Sequence, residues 1–362
     1  MTAVAVIGAG AGGAAAVTEL SLGGHEVRWW NRNPATIEPF REHGGVRYEG
    51  VLGEGVATPA SFATDLGSAL AGAELAMVCL PSLAHELVAE ALVAAQVSCP
   101  VLLNPGHTCG ALHVANVFRE RGVEPPPLVE LSTLTYVARK PDASTVRITG
   151  AAGRVWAGCL PGSEEALRLA QEIYPAAVAA RDVLASSLAN VNLVLHTPGA
   201  ILSAAWVEAT GGDFRFYVDS MTPGVARSID ALDRERLAVA AAYDHALPAL
   251  TEEMAAIGTA EATAAARGDT QAAIAGGEAN RLIKAPDSLD HRYYAEDFGY
   301  GLVPMLELAR IGGVVVPYAS ALVEVASALR GEPLTASGLT AERLGIAGLD
   351  RGGLLELVRG PA

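Results

Sequence analysis

The densest group of polar residues inside apolar text is Asn190-Val191-Asn192-Leu193-Val194-Leu195-His196-Thr197-Pro198. Asn192 and His196 are four residues apart, so on a helix they share one face. An imidazole changes charge near neutral pH and can serve as acid in one direction of a reaction and base in the other. A lone histidine on an apolar helix also fits a satisfied core residue, so His196 needs company before it means chemistry. A second cluster, His291-Arg292-Tyr293-Tyr294-Ala295-Glu296-Asp297-Phe298-Gly299-Tyr300, offers it. Carboxylates before an apolar helix are favoured by the helix dipole, which accounts for neither the arginine nor the tyrosines. Arg292 can grip a carboxylate with a two-pronged hydrogen bond, or pair with Glu296 or Asp297. A carboxylate beside an imidazole would select its tautomer and favour its charged form.

A third constellation, Gly8-Ala9-Gly10-Ala11-Gly12-Gly13, matches G-x-G-x-x-G between a strand pattern and a helix pattern. Gly8 allows the tight turn, Gly10 the close approach of backbone to a pyrophosphate, and Gly13 close packing of helix on sheet; Gly12 lies between them. The unpaired N–H groups of the helix start then face the phosphates. The next strand ends in Trp29-Trp30-Asn31-Arg32-Asn33, without the carboxylate that usually accepts from the ribose of NAD. Asn31 can hydrogen-bond a 2′-phosphate and Arg32 can pair with it, so NADP(H) is the expected cofactor, with NAD(H) as the alternative. Two later strand ends, Cys79-Leu80-Pro81-Ser82 and Asn104-Pro105-Gly106-His107, should line the same crevice, largely through backbone groups. Pro81, Asn104 and Pro105 are the expected contacts. His85 and His107 read as cleft or helix-face residues rather than catalysts.

These residues need a scaffold, and the chain has the material for one. It has 362 residues, 51% of them hydrophobic, enough for two domains with sizeable cores. Short apolar runs (Ala3–Gly8, Glu26–Trp30, Leu75–Leu80, Val101–Leu103) alternate with helical patterns such as Ala11–Gly23. That alternation predicts a doubly wound parallel sheet covered on both faces. From about Val183 the text turns Ala- and Leu-rich with helical periodicity. Helices are expected over Ser187–Val207 (bent at Pro198-Gly199), Arg227–Leu247, Glu252–Ile274 (one helix or a helical hairpin), Tyr300–Ala309 and Tyr318–Leu329. The fold class is therefore an α/β Rossmann domain over 1–182, followed by a mostly α-helical catalytic and substrate domain over 183–362.

The net charge of −15 argues against nucleic-acid or anionic-membrane surfaces. No apolar run reaches the roughly 18 residues that span a bilayer. The start lacks the basic, apolar and cleavage regions of a signal peptide, and a cytoplasmic protein is expected. The four cysteines, Cys79, Cys99, Cys109 and Cys159, form no C-x-x-C pair and read as reduced, buried thiols. No His/Cys cluster has zinc spacing, so no metal is expected. The alanine-rich helical half suggests a homodimer.

Taken with Pro81-Ser82-Leu83-Ala84-His85-Glu86, Asn104-Pro105-Gly106, Phe216-Tyr217…Thr222-Pro223, Asp233-Arg234-Glu235-Arg236 and Gly301-Leu302-Val303-Pro304, these stretches make the chain resemble the octopine/opine dehydrogenase family, bacterial type, over nearly its whole length. The resemblance implies NAD(P)H-dependent reduction of the imine formed between an amino acid and a 2-oxo acid, both small-molecule substrates. It places the family's catalytic histidine on His196 and its partner carboxylate on Asp297. Arg292, Asn192, Thr222, Tyr217 and Tyr300 become candidates for substrate contact. Ser220 and Gly224 depart from the family pattern around Thr222, and Asn31 stands where members often have an acid. The competing reading is a ketopantoate-reductase-like or 2-oxo/3-hydroxy acid dehydrogenase that reduces a ketone without an amine. Such enzymes generally use a lysine in the second domain, and here that domain offers only Lys284.

Overall fold

A computed structural model describes residues 1–361. The chain divides into two compact units, one of Met1–Gly106 with Gly110–Ala180, the other of His107–Cys109 with the chain from Arg181 onward.

The first unit is built on an eight-stranded sheet with spatial order Ala177–Ala179, Val155–Cys159, Leu128–Leu131, Val101–Leu103, Leu75–Val78, Ala3–Ile7, Glu26–Trp30, Ser61–Phe62. The six strands from Leu128–Leu131 to Ser61–Phe62 run parallel. Val155–Cys159 enters antiparallel to Leu128–Leu131, and Ala177–Ala179 pairs parallel to it. The central strands are buried along their whole length, as strands with helices on both faces must be. All four of the expected strands are present, two of them shortened at their C-terminal ends: Ala3–Ile7 and Leu75–Val78.

A feature the apolar runs did not announce is a second, four-stranded sheet ordered Gly55–Ala57, Val46–Gly50, Thr145–Ala151, Tyr136–Arg139. Its strands are half exposed and lack a continuous apolar run, so they carry a weaker signal. Gly50 is required there: its φ is +120°, and a Cβ would run into the Ile148 carbonyl.

The second unit is almost wholly helical. The helix expected over Ser187–Val207 is three helices, Val183–Leu188, Asn192–Leu202 and Ala204–Thr210. The interruptions do not fall at Pro198, which sits inside the middle helix. They fall where side chains compete with the backbone ladder: Asn190 Oδ1 accepts from the Asn192 N–H at 3.0 Å, and Ser203 Oγ donates to the Gly199 carbonyl at 2.6 Å. Gly199 lets the middle helix pack tightly, since a Cβ there would lie 2.9 Å from Phe216 Cζ.

The long helix after Thr222 runs over Pro223–Ala242, starting four residues earlier than its periodicity suggests because Thr222 caps it and Pro223 opens it. The alanine-rich stretch 252–274 is likewise divided, into Leu250–Ile257, Ala262–Ala266 and Thr270–Ala275. Gly258 stops the first in a left-handed turn; Glu261 and Asp269 cap the next two. Pro317–Arg330 forms as expected. All four cysteines are free; Cys159 is half-buried and the others are buried. No single helix among the described residues is long and apolar enough to cross a membrane.

Candidate active site and nucleotide site

At the nucleotide end, the glycine turn behaves as its chemistry demands. Gly8 has φ +115°, and a Cβ on it would stand 2.7 Å from the Cys79 carbonyl. A Cβ on Gly13 would overlap the Gly8 carbonyl, so only glycine lets helix Ala11–Leu22 lie this close to the sheet. A Cβ on Gly10, the N-cap, would meet nothing within 4 Å, leaving that side of the loop open to a ligand. Gly12 faces Leu134, with 3.3 Å between a Cβ and Leu134 Cδ2. The turn is braced from below by Trp29, fully buried, whose indole N–H donates to the Gly8 carbonyl at 2.8 Å. Nothing in the motif itself pointed to that tryptophan.

Beside the turn lies a pocket lined by Gly8, Trp30, Asn31, Arg32, Leu80 and Leu87, among others. Asn31 is committed locally: its Oδ1 accepts from the Ala9 N–H at 3.0 Å and its amide nitrogen donates to the Asn33 carbonyl at 2.9 Å. It ties the glycine loop to the next strand end. Arg32 is exposed and has no hydrogen-bond or ion-pair partner among the described residues. Pro81 is exposed at its strand end. Asn104 is buried and spends its side chain on Thr135, donating to Oγ1 at 3.1 Å. Pro105 follows it in a cis peptide. The open face at Gly10 and the exposed Arg32 leave this end of the unit accessible to a dinucleotide.

In the second unit, folding brings His196 and Asp297, 101 residues apart, to 2.8 Å between Nδ1 and Oδ2, with both side chains 5% exposed. An ionised carboxylate only accepts, so Nδ1 carries the proton. Nε2 then faces the Tyr217 hydroxyl at 2.7 Å, and Tyr217 bonds onward to the Tyr293 hydroxyl at 2.9 Å. The Tyr293 ring stacks on the imidazole with centroids 3.9 Å apart and planes 16° apart.

Local structure explains the placement. His291 caps the short helix Arg292–Asp297, which passes through a π-helical turn at Phe298–Leu302 into helix Val303–Gly312. Such wide turns occur often at functional sites. Gly301 lets this turn press on the His196 helix, since a Cβ there would lie 3.1 Å from Leu193 Cβ.

The neighbouring carboxylate serves a second histidine. Glu296 Oε1 is 3.2 Å from His107 Nε2, and its Oε2 is 3.6 Å from Arg292 Nη1. The His107 and Glu296 side chains are 5% and 3% exposed, whereas Arg292 is 40% exposed. Burial works against charge on His107, but the Glu296 carboxylate outweighs it and raises the pKa above the ordinary histidine value; Asp297 adds to the rise and Arg292 opposes it.

The other expected substrate residues stand elsewhere or face other partners. Thr222 is exposed and caps helix Pro223–Ala242 through Val225 N–H. The Tyr300 hydroxyl accepts from Arg343 at 3.0 Å, with that guanidinium also over its ring. Asn192 opens the His196 helix, half-buried, one turn before the histidine. Lys284 is a surface residue, 70% exposed and 2.5 Å from Asp213. Sequence reasoning passed over Tyr293, named Glu296 only as a possible partner of Arg292, and read His107 as a cleft or helix-face residue. The consecutive carboxylates Glu296 and Asp297 were the available sign that two partners awaited them. His85 is fully buried in the first unit, and no group of three or more His, Cys, Asp or Glu among the described residues suits a metal ion.

Residues 4–162 match the ketopantoate reductase PanE/ApbA family and residues 179–330 the alpha-helical domain of NAD/NADP octopine/nopaline dehydrogenases. A Rossmann unit joined to that helical domain defines an NAD(P)-dependent oxidoreductase acting on CH–NH groups. An opine dehydrogenase of Arthrobacter sp. (strain 1C) is 32% identical over 359 residues, 98% of each chain. The chain belongs to the opine dehydrogenase family. The same fold is seen in octopine dehydrogenase bound to NADH and L-arginine (TM-score 0.76, 18% identity, 100% of this chain and 99% of that one). It is seen again in NADP+-bound yersinopine dehydrogenase (TM-score 0.75, 15% identity, 96% of this chain and 97% of that one).

Proposed function

We propose that this enzyme condenses an amino acid or related amine with a 2-oxo acid and reduces the resulting imine with NADPH, giving a secondary amine of the opine type. The observation that carries the reading is His196 held by Asp297 on Nδ1, with Nε2 directed at a phenol and Arg292 on the same short helix as Asp297. Balanced, one oxo acid, one amine, one NADPH and one proton give the opine, NADP+ and water.

The first unit, taken as residues 1–182, holds the dinucleotide through Gly8, Gly10, Gly12 and Gly13, with backbone contacts at Pro81, Asn104 and Pro105. Arg32 supplies the counter-charge for a 2′-phosphate. Asn31 supports this indirectly by holding the loop in shape. The bound nicotinamide supplies hydride for reduction of the C=N bond.

The second unit, residues 183–362 with the His107 segment, supplies proton chemistry. His196, charged, gives the proton that lets the former oxo oxygen leave as water, and takes it back in the reverse direction. Asp297 holds Nδ1–H and stabilises the imidazolium, so Nε2 is the atom that exchanges the proton. Tyr217, bonded to Nε2 and on to Tyr293, stands on the proton's path. Arg292 holds the oxo acid carboxylate. Asn192 and Tyr300 border the substrate region, and Thr222 shapes it by fixing the start of its helix.

Amino acids and amines crossed with 2-oxo acids, with NADPH or NADH and mass spectrometry of products, test the proposal. Secondary amines formed only when both substrates are present support it. Equal oxidation of NADPH by an oxo acid without an amine would assign ketone reduction instead. The surface pairing of Lys284 with Asp213 disfavours that outcome.

A further inference from the structure

Reduction and proton transfer use His196 and Asp297, which leaves the second histidine–carboxylate pair unexplained. Burying Glu296 at 3% side-chain exposure is costly for a carboxylate unless it is paired. Two cations address it. His107 Nε2 is at 3.2 Å, on a short segment with left-handed backbone (φ +56° at His107, +63° at Cys109) that belongs to the second unit. Arg292 is at 3.6 Å, beyond good hydrogen-bond distance, and remains 40% exposed. Among the described residues His107 Nδ1 is buried with no hydrogen-bond partner, so the ring's polar anchor is Glu296 at Nε2.

We propose that His107 is a positioning residue: as an imidazolium it neutralises Glu296, which leaves the Arg292 guanidinium for the substrate carboxylate, and loss of its proton returns Arg292 to Glu296. The inference rests on the assignment of Arg292 to the oxo acid carboxylate. The charge count gives the direction. The charged groups facing His107 are Glu296, Asp297 and Arg292; its neighbour Thr108 bonds the neutral Asn190 at 3.1 Å. Protonating His107 adds one positive charge to this set, so with the imidazole neutral the site attracts an oxo acid anion less by one unit charge. Because Glu296 lifts the proton affinity of His107 over that of a free imidazole, the favourable state survives to higher pH than a free imidazole would allow and is lost as pH rises further.

A unit charge acting over about 10 Å at an effective dielectric near 20 changes affinity roughly tenfold, and that is the scale to look for. KM for the oxo acid and kcat are measured between pH 6 and 9 in wild type, H107Q, E296Q and the double variant. In wild type, KM for the oxo acid should rise on the alkaline side while KM for the amine holds. H107Q should show the alkaline KM at every pH, with kcat changed less than about threefold. The double variant H107Q/E296Q, with the buried charge gone, should recover a low and pH-independent KM.

H107Q with an unchanged KM profile, or a double variant no better than H107Q, would overturn the proposal. If H107Q does not fold, nitrogen-detected NMR of the wild-type His107 ring decides. Its titration midpoint must coincide with the rise in KM, and separation by more than a pH unit sinks the idea. R292K separates the two failures: unchanged oxo acid KM in that variant removes the underlying assignment, whereas a raised KM there with a normal H107Q removes only the role of His107.

Discussion

Replacing Asp297 with asparagine is the sharpest probe of the His196 assignment. The two side chains are 2.8 Å apart and 5% exposed, so the carboxylate is a charge-assisted acceptor with little competition from water. Asparagine keeps the shape and removes two things. It removes the charge that stabilises imidazolium, and it allows an NH2 group to face Nδ1, which would move the ring proton to Nε2. A positioned acid–base group is worth about 10²- to 10⁴-fold in rate, and the variant loses both tautomer and charge, so kcat should fall by about 10³. Dinucleotide affinity should not change, since the glycine turn and Arg32 belong to the other unit. Stability should fall by no more than about 2 kcal/mol, the cost of one weakened buried hydrogen bond. The assay is NADPH oxidation under saturating substrates, with NADPH affinity by fluorescence and the His196 tautomer by nitrogen NMR. A variant retaining kcat within threefold of wild type, with the tautomer changed, would refute the reasoning.

Other outcomes follow from other parts of the molecule. Arg32→Ala should raise KM for NADPH about tenfold or more, the scale of a lost charge-assisted phosphate contact, and leave KM for NADH unchanged; equal effects on both would dismiss the 2′-phosphate reading. Gly13→Ala drives a methyl into the Gly8 carbonyl, and should cost about 2 kcal/mol or more and abolish dinucleotide binding, read by thermal melting and NADPH fluorescence. Glu19, on the helix after the glycine turn, has its pKa raised by burial from 4.5 to about 7, despite hydrogen bonds from Tyr136 and Tyr174. A raised carboxyl pKa favours the fold while the group is protonated; that contribution is whole below 4.5 and is lost as pH rises through about 7. Glu19→Gln should therefore melt like wild type at pH 4 and exceed it at pH 8, by at most about 3 kcal/mol. Identical melting at both pH values would show that the carboxyl is not held neutral.

Local chemistry wrote much of this protein into its sequence. The turn from Gly8 to Gly13 declares itself because no other residue tolerates φ +115° at Gly8 or the closeness of helix and sheet at Gly13. The buried parallel strands are legible because burial on both faces demands continuous apolar runs. Arg32 and the missing acid at Asn31 are legible because charge is a property of residue type. Helix ends were less so. A periodic pattern from Ser187 to Val207 says helix, but Asn190 and Ser203 decide where the backbone ladder gives way.

What only the tertiary structure decided is which groups meet. Asp297 reaches His196 across 101 residues, and Glu296, one residue earlier, points to His107 instead. Asn31, expected on a ligand, is spent on the Ala9 N–H, and Asn104 on Thr135. Sequence supplies donors, acceptors and charges with their local geometry. Whether a polar side chain is left for a ligand or consumed by the fold depends on what lies within about 3 Å of it, and at these positions that neighbour comes from another part of the chain.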